Sequence, residues 1–254
     1  FLLVRDWWLS ARGWVAASAE LRCVDLASGK SDPVLTGVSA TGYDISLDEK
    51  EVVFTTTDSG GGSRIWLASL DRRTPPREIA RSGDQVSFGA DGDIVFRSRE
   101  EKTNVLARIK KDGGGRERIT AAPIVDKYGV SPDGKWAVVV SPDSDTAKYS
   151  TFAVPTSGGA PQKICNGACV AFWSSDGRFF CYYQPPSVKT LAIPVPAGKS
   201  LPDLPSSGIS AAAEGAAPRG TVLEHMLVSL GPDPSTYVFT RTDGQRNLFR
   251  IPLH

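Results

Sequence analysis

Ser131-Pro132-Asp133-Gly134, followed by the apolar run 136–140, is the stretch that decides the fold. Proline presets φ for the first central position of a turn, aspartate caps neighbouring N–H groups, and glycine tolerates positive φ. The four residues therefore read as a hairpin turn. The run after it is apolar on both faces, as a strand sandwiched between two sheets would be. Close echoes are Ser174-Ser175-Asp176-Gly177 before 179–183 and Gly89-Ala90-Asp91-Gly92 before 94–96. Weaker ones are Ser46-Leu47-Asp48-Glu49, Ser10-Ala11-Arg12-Gly13 and Gly231-Pro232-Asp233-Pro234.

The third residues of these six turns stand at 12, 48, 91, 133, 176 and 233, with intervals of 36, 43, 42, 43 and 57. The last interval is stretched by an insertion rich in Pro, Ala, Ser and Gly around 201–220. A period near 42 residues is that of a four-stranded propeller blade. Five residues before each anchor stand Trp7, Tyr43, Val86, Tyr128, Ala171 and Val228; three before it stand Leu9, Ile45, Phe88, Val130, Trp173 and Leu230. Apolar residues two apart are the mark of a strand with one packed face. Four after the anchor come Ala16, Val52, Val95, Ala137, Phe180 and Tyr237, apolar again. Third strands are expected at 21–26, 65–70, 105–109, 151–154, 191–195 and 248–253, and fourth strands at 33–36, 77–80, 116–120 and 162–165. The sixth repeat stops without a fourth strand, and residues 1–4 precede the first repeat as a surplus apolar segment.

The expected architecture is therefore all-β: one six-bladed β-propeller of four-stranded antiparallel blades, its ring closed by the N-terminal strand. The blades would span 5–37, 38–80, 81–121, 122–165, 166–208 and 209–254, the last completed by 1–4.

Composition agrees with an ordinary globular chain: 254 residues, 41% apolar, 22% charged, net charge +1. That balance argues against a nucleic-acid partner held by a basic field. The local clusters Arg72, Arg73 and Arg77, and Lys110, Lys111, Arg116 and Arg118, read as solvated turns and edge strands where charge discourages pairing. No stretch approaches the roughly 18 apolar residues of a membrane span, so no membrane contact is expected within this segment. The chain starts at Phe1 without an initiator Met and reads as a piece of something longer, with targeting signals or a membrane tether outside it. Cys165 and Cys169 flank Gly167 and read as a disulfide across a tight turn, which implies an oxidising compartment. Zinc would need a second ligand pair. Cys23 and Cys181 lie in apolar strand patterns and read as buried free thiols.

Trp173-Ser174-Ser175-Asp176-Gly177-Arg178 and Val130-Ser131-Pro132-Asp133-Gly134-Lys135 resemble the core of the TolB-type, WD-like propeller repeat, over essentially the whole chain. Repeats one and two depart from it with Arg12-Gly13 and Asp48-Glu49. The tail 201–209, then 231–237 and 246–253, and the Cys165–Cys169 segment before a Trp-Ser-x-Asp-Gly turn, resemble the carboxy-terminal propellers of certain bacterial serine/threonine protein kinases. That resemblance implies an extracytoplasmic propeller that senses or binds a ligand, tethered to a membrane by a part outside this segment. No kinase motif is present in the sequence.

Catalytic groups are scarce. There is no G-x-S-x-G elbow, and the two histidines, His225 and His254, are far from forming a triad. Asp143 and Asp145 lack the glycine and distal glutamate of a calcium loop and read as a solvated loop. The runs 60–62 and 113–115 are glycine connectors without the lysine of a phosphate cradle. The turn aspartates are structural. Seven residues before the anchor, Arg5, Asp84 and Asp126 would meet at the mouth of the channel, joined by Lys127 and His225. Neighbouring loops on that face, with Arg99 and Tyr149, are candidate interaction sites. The reading is a non-catalytic binding or sensor propeller without cofactor or metal, whose partner is a protein, peptide or small molecule. A propeller enzyme, the gating propeller of a prolyl-oligopeptidase-like peptidase, and a periplasmic TolB-like interaction protein are the alternatives.

Overall fold

A computed structural model describes residues 2–3, 8–10, 13–15, 19–25, 27–145, 148–209, 219–226, 228–231 and 233–239. The chain is an all-β propeller, and four repeats are complete four-stranded antiparallel sheets with strands in chain order. Repeat two comprises Gly42–Ile45, Glu51–Thr57, Ser63–Ser69 and Arg77–Arg81. Repeat three comprises Gly83–Phe88, Ile94–Glu100, Thr103–Ile109 and Glu117–Arg118. Repeat four comprises Asp126–Val130, Trp136–Asp143, Lys148–Pro155 and Gln162–Asn166. Repeat five comprises Val170–Trp173, Phe179–Tyr183, Thr190–Pro194 and Thr221–Leu223.

The terminal repeats are described in part. Trp8–Ser10 pairs with Gly13–Val15, and Val228–Leu230 pairs with Tyr237–Phe239, each as a first-to-second-strand hairpin. The third strand expected at 248–253 lies outside the described residues. Two expectations are corrected. Leu2–Leu3 does not extend the last repeat: it pairs antiparallel with Arg22–Val24, the third strand of repeat one. The fifth sheet does not stop at 208, because its fourth strand is Thr221–Leu223, paired with Thr190–Ala192. The insertion is thus a long connection inside repeat five.

The core is a series of layers between neighbouring sheets. In repeat three, Ile94 and Phe96 pack toward Val53, Ile65 and Ile79 of repeat two. Val95, between them, packs toward Ala137, Val139 and Val154 of repeat four. Val138 in turn faces Ala171, Phe180 and Ile193 of repeat five. Alternate residues of each second strand therefore serve opposite layers, which is why those runs are apolar throughout. The column four residues after the anchor is buried in every complete sheet, at Val52, Val95, Ala137 and Phe180.

The turns follow their chemistry. In repeat four Ser131 Oγ donates to Asp133 Oδ1 and accepts from the Trp136 N–H, while the Gly134 N–H donates to the Ser131 carbonyl. Ser174, Asp176 and Phe179 repeat this pattern. So do Ser46, Asp48 and Glu51, although Glu49 stands where glycine is usual and adopts φ 56°. An L-residue there costs about 1–2 kcal/mol, partly offset by the greater unfolded-state freedom of glycine. Glu49→Gly is expected to stabilise the protein by about 0.5–1 kcal/mol, read as a rise in melting temperature. The turn of repeat three lacks the serine and is instead a 3₁₀ turn, with Asp91 at φ 55°.

The insertion runs back over repeat four. The Trp173 indole N–H donates to the Ser200 carbonyl at 2.6 Å, Ser200 Oγ donates to Asp133 Oδ2 at 2.5 Å, and Leu201 is buried. Ile209 then bridges in parallel to Cys165, its N–H bonded to the Ile164 carbonyl. A strand edge that would otherwise invite pairing is covered there.

Cys165 is joined to Cys169 by a disulfide. It ties the last strand of repeat four to the entry of repeat five, where Thr151 Oγ1 also donates to the Gly167 and Cys169 carbonyls. Cys181 is buried as expected, whereas Cys23 is only half-buried. Loop entropy assigns a bridge across so short a segment about 2 kcal/mol. Cys165→Ser with Cys169→Ser is expected to lower the urea midpoint accordingly, and reductant should no longer affect the variant.

Candidate functional site

With the strands antiparallel and in chain order, the second-to-third and fourth-to-first connections of the four complete sheets emerge at one end of the propeller, called here the mouth. The Ser-x-Asp-Gly turns lie at the other end. Asp84 and Asp126 begin the first strands of repeats three and four, and Arg97 links them there. Its Nε and Nη2 donate to Asp84 Oδ1 and Oδ2, both at 2.7 Å. Its Nη1 donates to Asp126 Oδ1 at 3.2 Å and to the Val125 carbonyl at 2.5 Å. The two carboxylates thus meet through the guanidinium, and both remain well exposed. A fork held on both Asp84 oxygens is rigid and bidentate.

A β-bulge between Asp84 and Ser87 sets the next contact. Gln85 adopts φ 51°, and its amide turns toward repeat four. Nε2 donates to Asp126 Oδ1 and Oε1 accepts the Lys127 N–H, each at 2.8 Å. Bulges commonly re-aim a side chain in this way.

Lys127 is only 2% exposed. Its Nζ donates to Ser87 Oγ at 2.6 Å. Desolvation pulls the ammonium down to about 8, against the attraction of Asp44 and Asp84. Asp44, on the first strand of repeat two, accepts the N–H groups of Phe88 and Ile45. Burial nevertheless raises its carboxyl above the ordinary carboxylate range. Three consecutive first strands therefore share one polar network.

The other candidates fall apart from it. His225 lies on the connection into repeat six, its Nδ1 3.0 Å from the Tyr237 hydroxyl and its ring stacked on Phe239 at 3.6 Å. It shares no hydrogen bond with the Arg97 network. Arg5 lies outside the described residues. Arg99 is exposed at the mouth end of its strand, its N–H bonded to the Ser82 carbonyl. Tyr149, the second residue of the strand Lys148–Pro155, is exposed.

Asp143 is not solvated as expected. It is buried, 2.8 Å from Lys163 Nζ, and accepts from Ser150 Oγ at 2.6 Å. These hydrogen bonds, that from Lys163 foremost, hold its carboxyl well below the usual range. The lysine supplies the cation that a calcium loop would have bound. Among the described residues no group of three or more His, Cys, Asp or Glu is placed to hold a metal.

Exposed large apolar side chains gather at the mouth. Val125 and Met226 lie on fourth-to-first connections, Val188 lies in a second-to-third loop, and Tyr149 lies at the mouth end of the third strand of repeat four. Among the described residues only Leu47 occupies a turn at the opposite end; Val222, Val238 and Phe239 are in strands.

Sequence reasoning missed Arg97, Gln85, Ser87 and Asp44. The one signal was the arginine interrupting the apolar run after Ile94-Val95-Phe96.

No family model and no curated protein matches the sequence. Solved structures do. The chain superimposes on TolB from Acinetobacter baumannii with a TM-score of 0.57 and 16% identity, over 71% of this chain and 47% of that one. A TolB-type protein from Agrobacterium tumefaciens gives 0.58 and 18%, over 82% and 79%. A chain of a nidogen/laminin complex gives 0.51 and 13%, over 69% and 67%. The chain spans about half the length of the Acinetobacter protein. At these identities the likeness is one of fold, that of the TolB-like propellers.

Proposed function

We propose that the chain is a non-catalytic, six-bladed binding propeller that recognises a protein or peptide at its mouth. The observation that carries this is the collection of Val125, Tyr149, Val188 and Met226, exposed and at one end, on connections and a strand end held by buried sheets. Apolar side chains gathered on scaffold-held loops are what an interaction surface needs. The two terminal hairpins are read as parts of the first and sixth blades. A non-catalytic role fits the mouth carboxylates, since Arg97 occupies both oxygens of Asp84.

The disulfide favours an oxidising, extracytoplasmic setting. Together with the kinase-like features of the tail, it supports a receptor kinase as the parent protein.

The test is a photo-crosslinking residue placed singly at Tyr149, Val188 or Leu47 in the cells the protein comes from. A discrete adduct from the first two and none from Leu47 is expected; equal yields from both ends would end the proposal. A parallel screen with esterase, glycosidase and peptidase substrates addresses the catalytic alternative. Turnover abolished by Asp84→Ala or Asp126→Ala would establish an enzyme instead.

A further inference from the structure

Lys127 breaks the rule that a buried charge is fully paired. An ammonium has three N–H donors. One meets Ser87 Oγ, and the other two meet no acceptor among the described residues. Asp44 and Asp84 attract its charge, yet neither forms an ion pair with it. Buried donors are almost always satisfied, so a site that leaves two open calls for an acceptor from elsewhere.

The position makes such an acceptor deliverable. Lys127 is the second residue of its strand, next to Asp126 at the mouth. One strand residue advances about 3.3 Å, so the backbone of Lys127 lies roughly that far inside the entrance. The charge balance narrows the chemistry. Among the described residues Asp44, Asp84 and Asp126 face Arg97 and Lys127, three carboxylates against two cations. A second anion would be repelled, whereas an uncharged carbonyl would not. Among the described residues Asp126 Oδ2 takes no hydrogen bond, while Oδ1 takes two. A donor and an acceptor on consecutive residues of one strand are of the two kinds that a peptide unit needs.

We infer that the mouth admits a peptide segment whose backbone carbonyl accepts from Lys127 Nζ and whose N–H donates to Asp126. This rests on the binding reading above and names the chemistry recognised. Ser87 and Gln85 act as positioning residues, the first holding the ammonium and the second aligning Asp126 with the Lys127 strand.

The probe is a phage-displayed library of random linear peptides, selected on the full 254-residue chain. Selected peptides should lose about tenfold or more in affinity on Lys127→Met, the loss of a hydrogen bond to a charged group. They should bind Lys135→Met, altered at the far end, as they bind the unmodified chain. Bound peptide should also raise the pH at which Lys127 Nζ titrates, followed by ¹⁵N NMR, because an acceptor favours the charged form. Unchanged affinity on Lys127→Met would overturn the inference and leave water as the missing acceptor. If Tyr149→Ala and Val188→Ser then still abolish binding, the mouth remains the binding face without the lysine. If no peptide is selected at all, both readings fall.

Discussion

Gly134→Ala is expected to destabilise the protein by about 2–5 kcal/mol, the sum of a strained backbone and an overpacked interface. Gly134 has φ 73°, where an L-residue costs about 1–2 kcal/mol. A Cβ there would also fall 1.9 Å from Ala90 N and 2.4 Å from Ala90 Cα. Those are backbone atoms of the neighbouring repeat's turn and cannot swing aside, so two blades must part. Gly177, the matching residue one repeat on, supplies the control. Its φ is 71°, but its Cβ would meet only the Pro132 ring, at 3.5 Å. Gly177→Ala should therefore cost only the backbone share, about 1–2 kcal/mol. Urea unfolding of both variants separates the two effects, and equal losses would refute the contact between turns.

Lys127→Met is expected to raise stability, an unusual sign for a core substitution. The gap between about 8 in the folded protein and roughly 10.4 in an unfolded chain corresponds to about 3 kcal/mol against folding. Loss of the Ser87 hydrogen bond returns about 1 kcal/mol of this, leaving a net gain of about 1–2 kcal/mol. The gain carries its own pH signature. Below pH 8 the lysine is charged in both states and the penalty is complete. As pH rises from 8 toward 10.4 the folded protein gives up its proton first, so the unfolded state binds more protons and the penalty fades. The advantage of the methionine variant should shrink over that window and vanish above it. Comparing the two proteins matters, because burial pushes the Cys181 thiol up to about 12 and raises the Tyr128 phenol. Both hold protons longer when folded, which lowers stability at alkaline pH in each protein alike. An advantage that persists unchanged at pH 10 would show that the lysine is not buried as a charge. A residue that costs stability where it sits is best understood through what it binds.

Much of the fold was legible in advance because its determinants are local. A turn needs its serine, aspartate and glycine within four residues, and a sandwiched strand needs an apolar run, so six repeats could be registered on one another. Glu49 shows the reach of that logic. The serine and aspartate of its turn impose the geometry even where glycine is missing. Legibility ended where pairing is long-range. Thr221-Val222-Leu223 is too short to register by itself, and only its partner in Thr190–Ala192 identifies it as the fourth strand of repeat five. Leu2–Leu3 is equally apolar whichever strand it joins, and its pairing with Arg22–Val24 had no marker in the chain.

The candidate site divides the same way. Asp84 and Asp126 were found because they share a repeat column, and a column becomes one end of a propeller by topology alone. What holds them there was not visible, since Arg97 points between sheets by the parity of its strand and Gln85 turns on a bulge that no glycine announces. By itself, then, the sequence determined the blade, its turns and the end of the molecule at which polar residues gather, since each follows from neighbours along the chain. The tertiary structure alone decided which charges meet, which lysine is stripped of water and which edge the insertion covers, because burial and hydrogen bonding depend on strands brought together across distances the sequence does not encode locally.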